Sequence, residues 1–215
     1  MHKLITTLAA ILIAASAFAA SRTYDLRSPD GKLSVSVEAG EGITYSLTHD
    51  GDLLLDKTVI SMATAGGEVF GGIQPVRKVT RRSVSQTIPT VLYKKAEVKD
   101  EFNEMTLKFK RFSLVFRAYD DGMAYRFISH MKDAYQIEHE FAGFNFPQDW
   151  NMWTAYVCQH TETLDSQYYN SFENRYEHTP LSAWNKERLA FISQFGWEVN
   201  EEPEEVAEII IPQEF

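Results

Sequence analysis

Apolar side chains in this chain recur at every second position, in short runs separated by turn residues. Leu33, Val35 and Val37 alternate with Ser34, Ser36 and Glu38, and Ile43, Tyr45 and Leu47 alternate with Thr44, Ser46 and Thr48. Period-two alternation marks strands that turn one face to a core. Gly40-Glu41-Gly42 separates these runs, Asp50-Gly51 follows the second, and Leu53–Leu55 is a short apolar run beyond it. The pattern reads as hairpins in series. The densest alternation lies between Asn103 and Ile128, where Met105, Leu107 and Phe109, then Leu114, Phe116 and Ala118, then Met123, Tyr125 and Phe127 each share one parity. It predicts a three-stranded antiparallel meander. Asp121-Gly122 predicts a type I′ turn at one corner, because that turn needs positive φ at both central residues. Lys110-Arg111 must make the other corner and is poor turn chemistry. Gln136 to Phe146 reads as a further strand and its exit, closed by Pro147.

Other stretches carry less pattern. Gly66-Gly67 and Gly71-Gly72 lack the strand-to-helix context of a phosphate-binding loop and read as loop or bulge. Arg77, Lys78, Arg81 and Arg82 read as a solvated basic face. Residues 159–187 are polar with Tyr168, Tyr169, Phe172 and Tyr176 interleaved, which predicts a long ordered loop of the functional kind. With no internal repeat and no long amphipathic helix, the expected class is all-β.

The 215 residues are 44% hydrophobic and 13% aromatic, a globular composition that can fill a sizeable core. Lys3, the apolar run Leu4–Ala15 and Ala17-Phe18-Ala19 follow the order of an export signal, with a cut before Ala20. This makes residues 1–19 a signal peptide and the product periplasmic or secreted. The formal charge of −9 argues against nucleic acid or an anionic membrane surface as partner. Cys158 is the single cysteine, which excludes an internal disulfide and a multi-thiolate metal site.

Candidate chemistry is sparse at the level of residue spacing. His139-Glu140 opens a zincin-like pattern, but Gly143 stands where the second His belongs. His160, Glu162 and Asp165 could converge on a metal from one loop. Glycoside cleavage needs two carboxylates across a sugar ring, and spacing alone does not choose such a pair here. Trp150, Trp153 and Tyr168 offer flat apolar faces with polar edges, suited to stacking on a sugar. On residue types alone, plugging the end of a sandwich explains them slightly better.

Four segments carry a family resemblance. They are Ser28-Pro29-Asp30-Gly31-Lys32-Leu33, then Phe102-Asn103-Glu104-Met105-Thr106-Leu107, then Arg117-Ala118-Tyr119-Asp120-Asp121-Gly122-Met123-Ala124-Tyr125-Arg126, and finally Phe172 to Ser182 with its Thr179-Pro180-Leu181-Ser182 ending. In this order they resemble the N-terminal domain of glycoside hydrolase family 97, the calcium-dependent α-glucosidases and α-galactosidases. The match covers roughly Tyr24 to Phe191.

The resemblance implies a galactose-mutarotase-like β-supersandwich over residues 20–192; residues 193–215 depart from it as an atypical acidic tail, so the sandwich is expected to be truncated at its C-terminal strands. It implies that the catalytic carboxylates belong to a (β/α)₈ barrel that follows this domain in the family and has no counterpart in this sequence. The N-terminal domain would close the pocket and lend a Glu to a calcium ion. Glu173 is the candidate by motif position, with Glu177 next. An oligosaccharide or glycoside is the implied ligand, and a separately encoded barrel a possible partner. The chain alone is then expected to hydrolyse no glycoside. The alternatives are a free-standing carbohydrate-binding sandwich and a small mutarotase-type enzyme using His160 or His178 as acid or base.

Overall fold

The computed structural model describes residues 21–155 and 175–183, and the backbone of 209–210. Strands β1 (Arg22–Arg27), β2 (Leu33–Ala39), β3 (Ile43–His49), β4 (Asp52–Thr64) and β10 (Ile137–Ala142) form one antiparallel sheet in that order, with β5 (Val69–Phe70) also paired to β4. A second sheet runs β6 (Lys78–Pro89), β7 (Glu97–Lys108), β8 (Phe112–Tyr119), β9 (Gly122–Ser129). Two short pairs complete the described part: β11 (Phe144–Asn145) with β14 (Ile209–Ile210), and β12 (Asn151–Thr154) with β13 (Glu177–Pro180). The one helical piece among the described residues is a 3₁₀ turn at Leu181–Ala183. The all-β expectation is therefore met, as a sandwich of antiparallel sheets.

The core is the set of positions that the alternation selects. Val35, Val37, Ile43 and Tyr45 of the first sheet are buried against Met105, Leu107, Leu114, Phe116 and Ala118 of the second. Aromatic rings join the sheets: Tyr45 meets Phe116 edge-on at 6.0 Å, and Phe70 stacks on Phe112 at 5.0 Å. Each buried Phe contributes about 1.5–3 kcal/mol of transfer free energy. Met123, Tyr125 and Phe127 of β9 are only partly buried but pack on the same cluster. Burial, with Glu140 and Tyr45 nearby, pushes the Tyr125 phenol up to about 12.

The turns divide into those set locally and those set by distant groups. Asp50-Gly51 joins β3 to β4 with φ of 50° and 95°, the two positive values that a type I′ turn requires. The β8–β9 corner departs from expectation. Tyr119 pairs with Gly122, so the loop is Asp120-Asp121, one residue earlier than Asp121-Gly122. None of Asp120, Asp121 and Gly122 has positive φ, so the turn is not type I′. A tertiary contact holds it instead, since the Asp30 amide donates to Asp120 Oδ1 at 2.9 Å.

The unpromising Lys110-Arg111 corner does form. The Phe109 amide donates to the Phe112 carbonyl at 2.9 Å, and the two rings stack at 4.4 Å. Arg111 grips Glu68 of the β4–β5 connection, Nη2 to Oε1 at 2.6 Å and Nε to Oε2 at 2.8 Å. Just after β5, Gly71 has φ of 103°, and a Cβ there would lie 2.6 Å from the Ile60 carbonyl oxygen, so only glycine fits. The basic cluster is not a uniform solvated face either. Arg82 is ion-paired to Glu104, and Arg81 donates to the Asp25 carbonyl at 3.3 Å.

Candidate functional site

The β12–β13 pair gathers the described residues that the sequence marks for ligand contact. Its register sets Trp153 opposite His178, Thr154 opposite Glu177, Met152 opposite Thr179 and Asn151 opposite Pro180. Directly opposed residues of an antiparallel pair share a face and alternate faces along the strand. Trp153 and His178 therefore lie on one face and Glu177 on the other. The Trp153 and His178 rings stack at 4.6 Å with 23° between planes, and Trp153 is still 69% exposed. The pair is closed by backbone and carboxylate contacts. The Leu181 amide donates to the Trp150 carbonyl at 2.9 Å. Asp149 accepts from the Ser182 amide at 2.8 Å and from its hydroxyl at 2.7 Å. Sequence reasoning missed Asp149. The nearest signal for it was Ser182 behind Pro180, a turn whose amide and hydroxyl both needed an acceptor.

A second cluster occupies the outer face of β6–β7–β8. Arg82, Glu104 and Arg117 stand side by side across three strands. Glu104 accepts from Arg82 through both oxygens, at 2.6 and 2.9 Å, and from Arg117 Nε at 2.9 Å. The Arg117 guanidinium also lies 4.2 Å above the Phe102 ring, a cation–π arrangement that buries Phe102 on an otherwise outward face. The hydrogen bond from Arg82, joined by that from Arg117, holds the Glu104 carboxyl below the usual glutamate range. A carboxylate so stabilised is a poor proton donor, so Glu104 cannot serve as a general acid near neutral pH.

The family segments converge on this second cluster. Ser28 donates to Asp30 Oδ1 at 2.6 Å, and the Leu33 amide donates to the Ser28 hydroxyl at 3.0 Å. Asp30 reaches Asp120, and Asn103 Nδ2 donates to the Arg27 carbonyl at 2.9 Å. Three segments distant in sequence thus form one bonded corner of the sandwich. The model of the glycosyl-hydrolase 97 N-terminal domain matches residues 26–202. This chain is a family 97 N-terminal domain.

The domain is 36% identical over 194 residues to a retaining alpha-galactosidase of Bacteroides thetaiotaomicron, covering 89% of this chain and 29% of that protein. A probable retaining alpha-galactosidase of Streptomyces bingchenggensis is 26% identical over 145 residues, or 65% of this chain and 22% of that protein. Among solved structures, the fold is similar to a family 97 enzyme of Pseudoalteromonas sp. strain K8 in complex with acarbose. The TM-score is 0.58 at 17% identity, over 74% of this chain and 24% of that one. A beta-arabinopyranosidase gives 0.60 at 20% identity, over 72% and 26%. The chain therefore spans less than a third of the relatives it matches.

The residues expected to act fall into three groups. Trp153, His178 and Glu177 lie on the β12–β13 pair, with Trp150 half-buried at its entrance. His139 is an exposed strand residue of β10. Glu173, Tyr168, Cys158, His160, Glu162 and Asp165 lie outside the described residues, as does the segment expected to be a signal peptide. Among the described residues no three His, Cys, Asp or Glu side chains converge on a common point. Calcium takes about six to eight oxygens, so Glu177 can supply only one part of a shell. The described residues do not fit a calcium site by themselves.

Proposed function

We propose that this family 97 domain closes the sugar pocket of a retaining glycoside hydrolase, of the α-galactosidase kind, whose catalytic carboxylates lie on a following barrel. The likeness to the Bacteroides retaining alpha-galactosidase carries the reading, since it runs through nearly the whole chain yet covers 29% of that protein. The outward Trp153 ring, backed by His178, suits contact with the apolar face of a hexose. Glu173, or failing it Glu177, lends one carboxylate to a calcium ion whose remaining ligands come from the barrel. The leader is removed before Ala20, and the enzyme works in the periplasm or outside the cell.

The test is a protein carrying this domain followed by its barrel, assayed on aryl α-galactoside and aryl α-glucoside with and without calcium. Retaining, calcium-dependent galactoside cleavage is expected. Glu173→Gln should weaken both calcium affinity and turnover, and unchanged calcium dependence would move the ligand to Glu177. This chain alone should leave both substrates intact, because in this reading both carboxylates of the cleavage step come from the barrel. Turnover that vanishes when an acid of this chain is replaced would overturn the proposal. N-terminal sequencing of exported material should begin at Ala20.

A further inference from the structure

The β4–β5 connection with Val69 of β5, the β5–β6 connection and the β7–β8 corner line an open cleft of about 350 Å³. This falls in the size range of small-molecule sites, about 300–1,000 Å³. Arg77, Lys110 and Arg111 line it with a single carboxylate, Glu68, and Val69 and Pro75 add apolar surface. The local charge is thus positive on a chain of net charge −9. Glu68 is already gripped by Arg111 through both oxygens. Arg77 and Lys110 have no ion-pair partner among the described residues.

The rim is held by backbone bonds. The Arg77 amide donates to the Lys108 carbonyl at 2.8 Å, the His130 amide to the Arg111 carbonyl at 2.7 Å, and the Thr64 amide to the Glu68 carbonyl at 2.9 Å. The first of these bonds brings Arg77 beside the Lys110–Arg111 corner of the same sheet, and the first sheet contributes Glu68 and Val69 opposite them. Electrostatic self-repulsion opposes such a grouping, and an anion placed between the cations relieves it. The Glu68–Arg111 fork shows the geometry by which this wall takes a carboxylate.

We propose that this cleft binds the carboxylate of a uronic-acid sugar, with Arg77 and Lys110 meeting the charge and Val69 and Pro75 meeting the ring. The sugar identity rests on the glycosidase reading, whereas the anion preference rests on the cleft alone. The test is calorimetric titration of the full chain with D-glucuronate, D-glucose and inorganic sulfate at low ionic strength. Glucuronate should bind at least tenfold more tightly than either of the other two. The Arg77→Gln/Lys110→Gln variant should lose at least tenfold of that affinity while its circular dichroism is unchanged. Glu68→Gln should tighten binding several-fold, because it removes the internal competitor and releases Arg111. Added salt should weaken binding.

Equal affinity for glucose, or for sulfate, overturns the proposal, as does the absence of glucuronate binding. Retention of full affinity in the double variant overturns it too. None of these measurements uses turnover, so failure of the glycosidase reading would show separately in the barrel-fused assay.

Discussion

Glu104 and Trp153 both sit on strands, but their surroundings differ in kind. The Glu104 side chain is 9% exposed and accepts three hydrogen bonds from two arginines. Trp153 is 69% exposed and, among the described residues, stacks on one ring, His178. Around Glu104, every family segment found there serves the fold: Ser28, Asp30, Asn103, Arg117 and Asp120 bond to one another or to nearby backbone. On the β12–β13 pair, the clamp through Asp149 and Ser182 fixes the strands and leaves the aromatic face open. Recurrence in a family segment is therefore no guide to ligand contact. What distinguishes the two regions is whether side chains spend their polar and aromatic surface inside the protein or leave it facing water.

Substitutions should separate the regions by size of effect. Phe102→Ala is expected to cost about 3 kcal/mol, because it opens a cavity beneath Arg117 and Tyr119. Chemical denaturation would measure it. A cost near zero would mean that the corner is not a structural anchor. Glu104→Gln should cost about 2 kcal/mol at neutral pH, where a charge-assisted network is lost.

That second effect carries a pH signature. The Glu104 carboxyl is held below the ordinary glutamate range by its bonds to Arg82 and Arg117, so its contribution is fully present above the unfolded glutamate value. It is lost as pH falls through the lower, folded value. The gap between wild type and Glu104→Gln should close in acid, and a gap that stays constant with pH would remove the charge from the account. Asp120→Ala should cost about 1 kcal/mol through the bond to Asp30, a smaller loss because both groups are near water.

Trp153→Ala should be the mildest for the fold, within about 0.5 kcal/mol, as befits an exposed side chain. It should nonetheless weaken saccharide binding in the barrel-fused enzyme. A large stability loss with unchanged sugar affinity would merge the two regions and make the ring a structural plug.

Alternation read from the residues alone located the core. The positions Val35, Val37, Tyr45, Met105, Leu107, Leu114 and Phe116 are buried because one parity of each strand points at the facing sheet, and the apolar parity is the one that fills the space between. Asp50-Gly51 was legible for a similar reason, since its backbone preference is a property of those two residues. The Asp120-Asp121 and Phe109–Phe112 corners were not. Asp30 and Glu68 arrive from elsewhere in the chain to hold them, and a stack of the flanking Phe109 and Phe112 rings adds to the second. The same holds for function. Trp153 could be named from its residue type, but only pairing with β13 decided that His178 would back it and that Glu177 would take the opposite face. Arg77, Lys110 and Arg111 look like scattered surface charge until β6 pairs with β7. The cleft exists because hydrophobic burial drives the two sheets together and sets Glu68 and Val69 of the first against those cations.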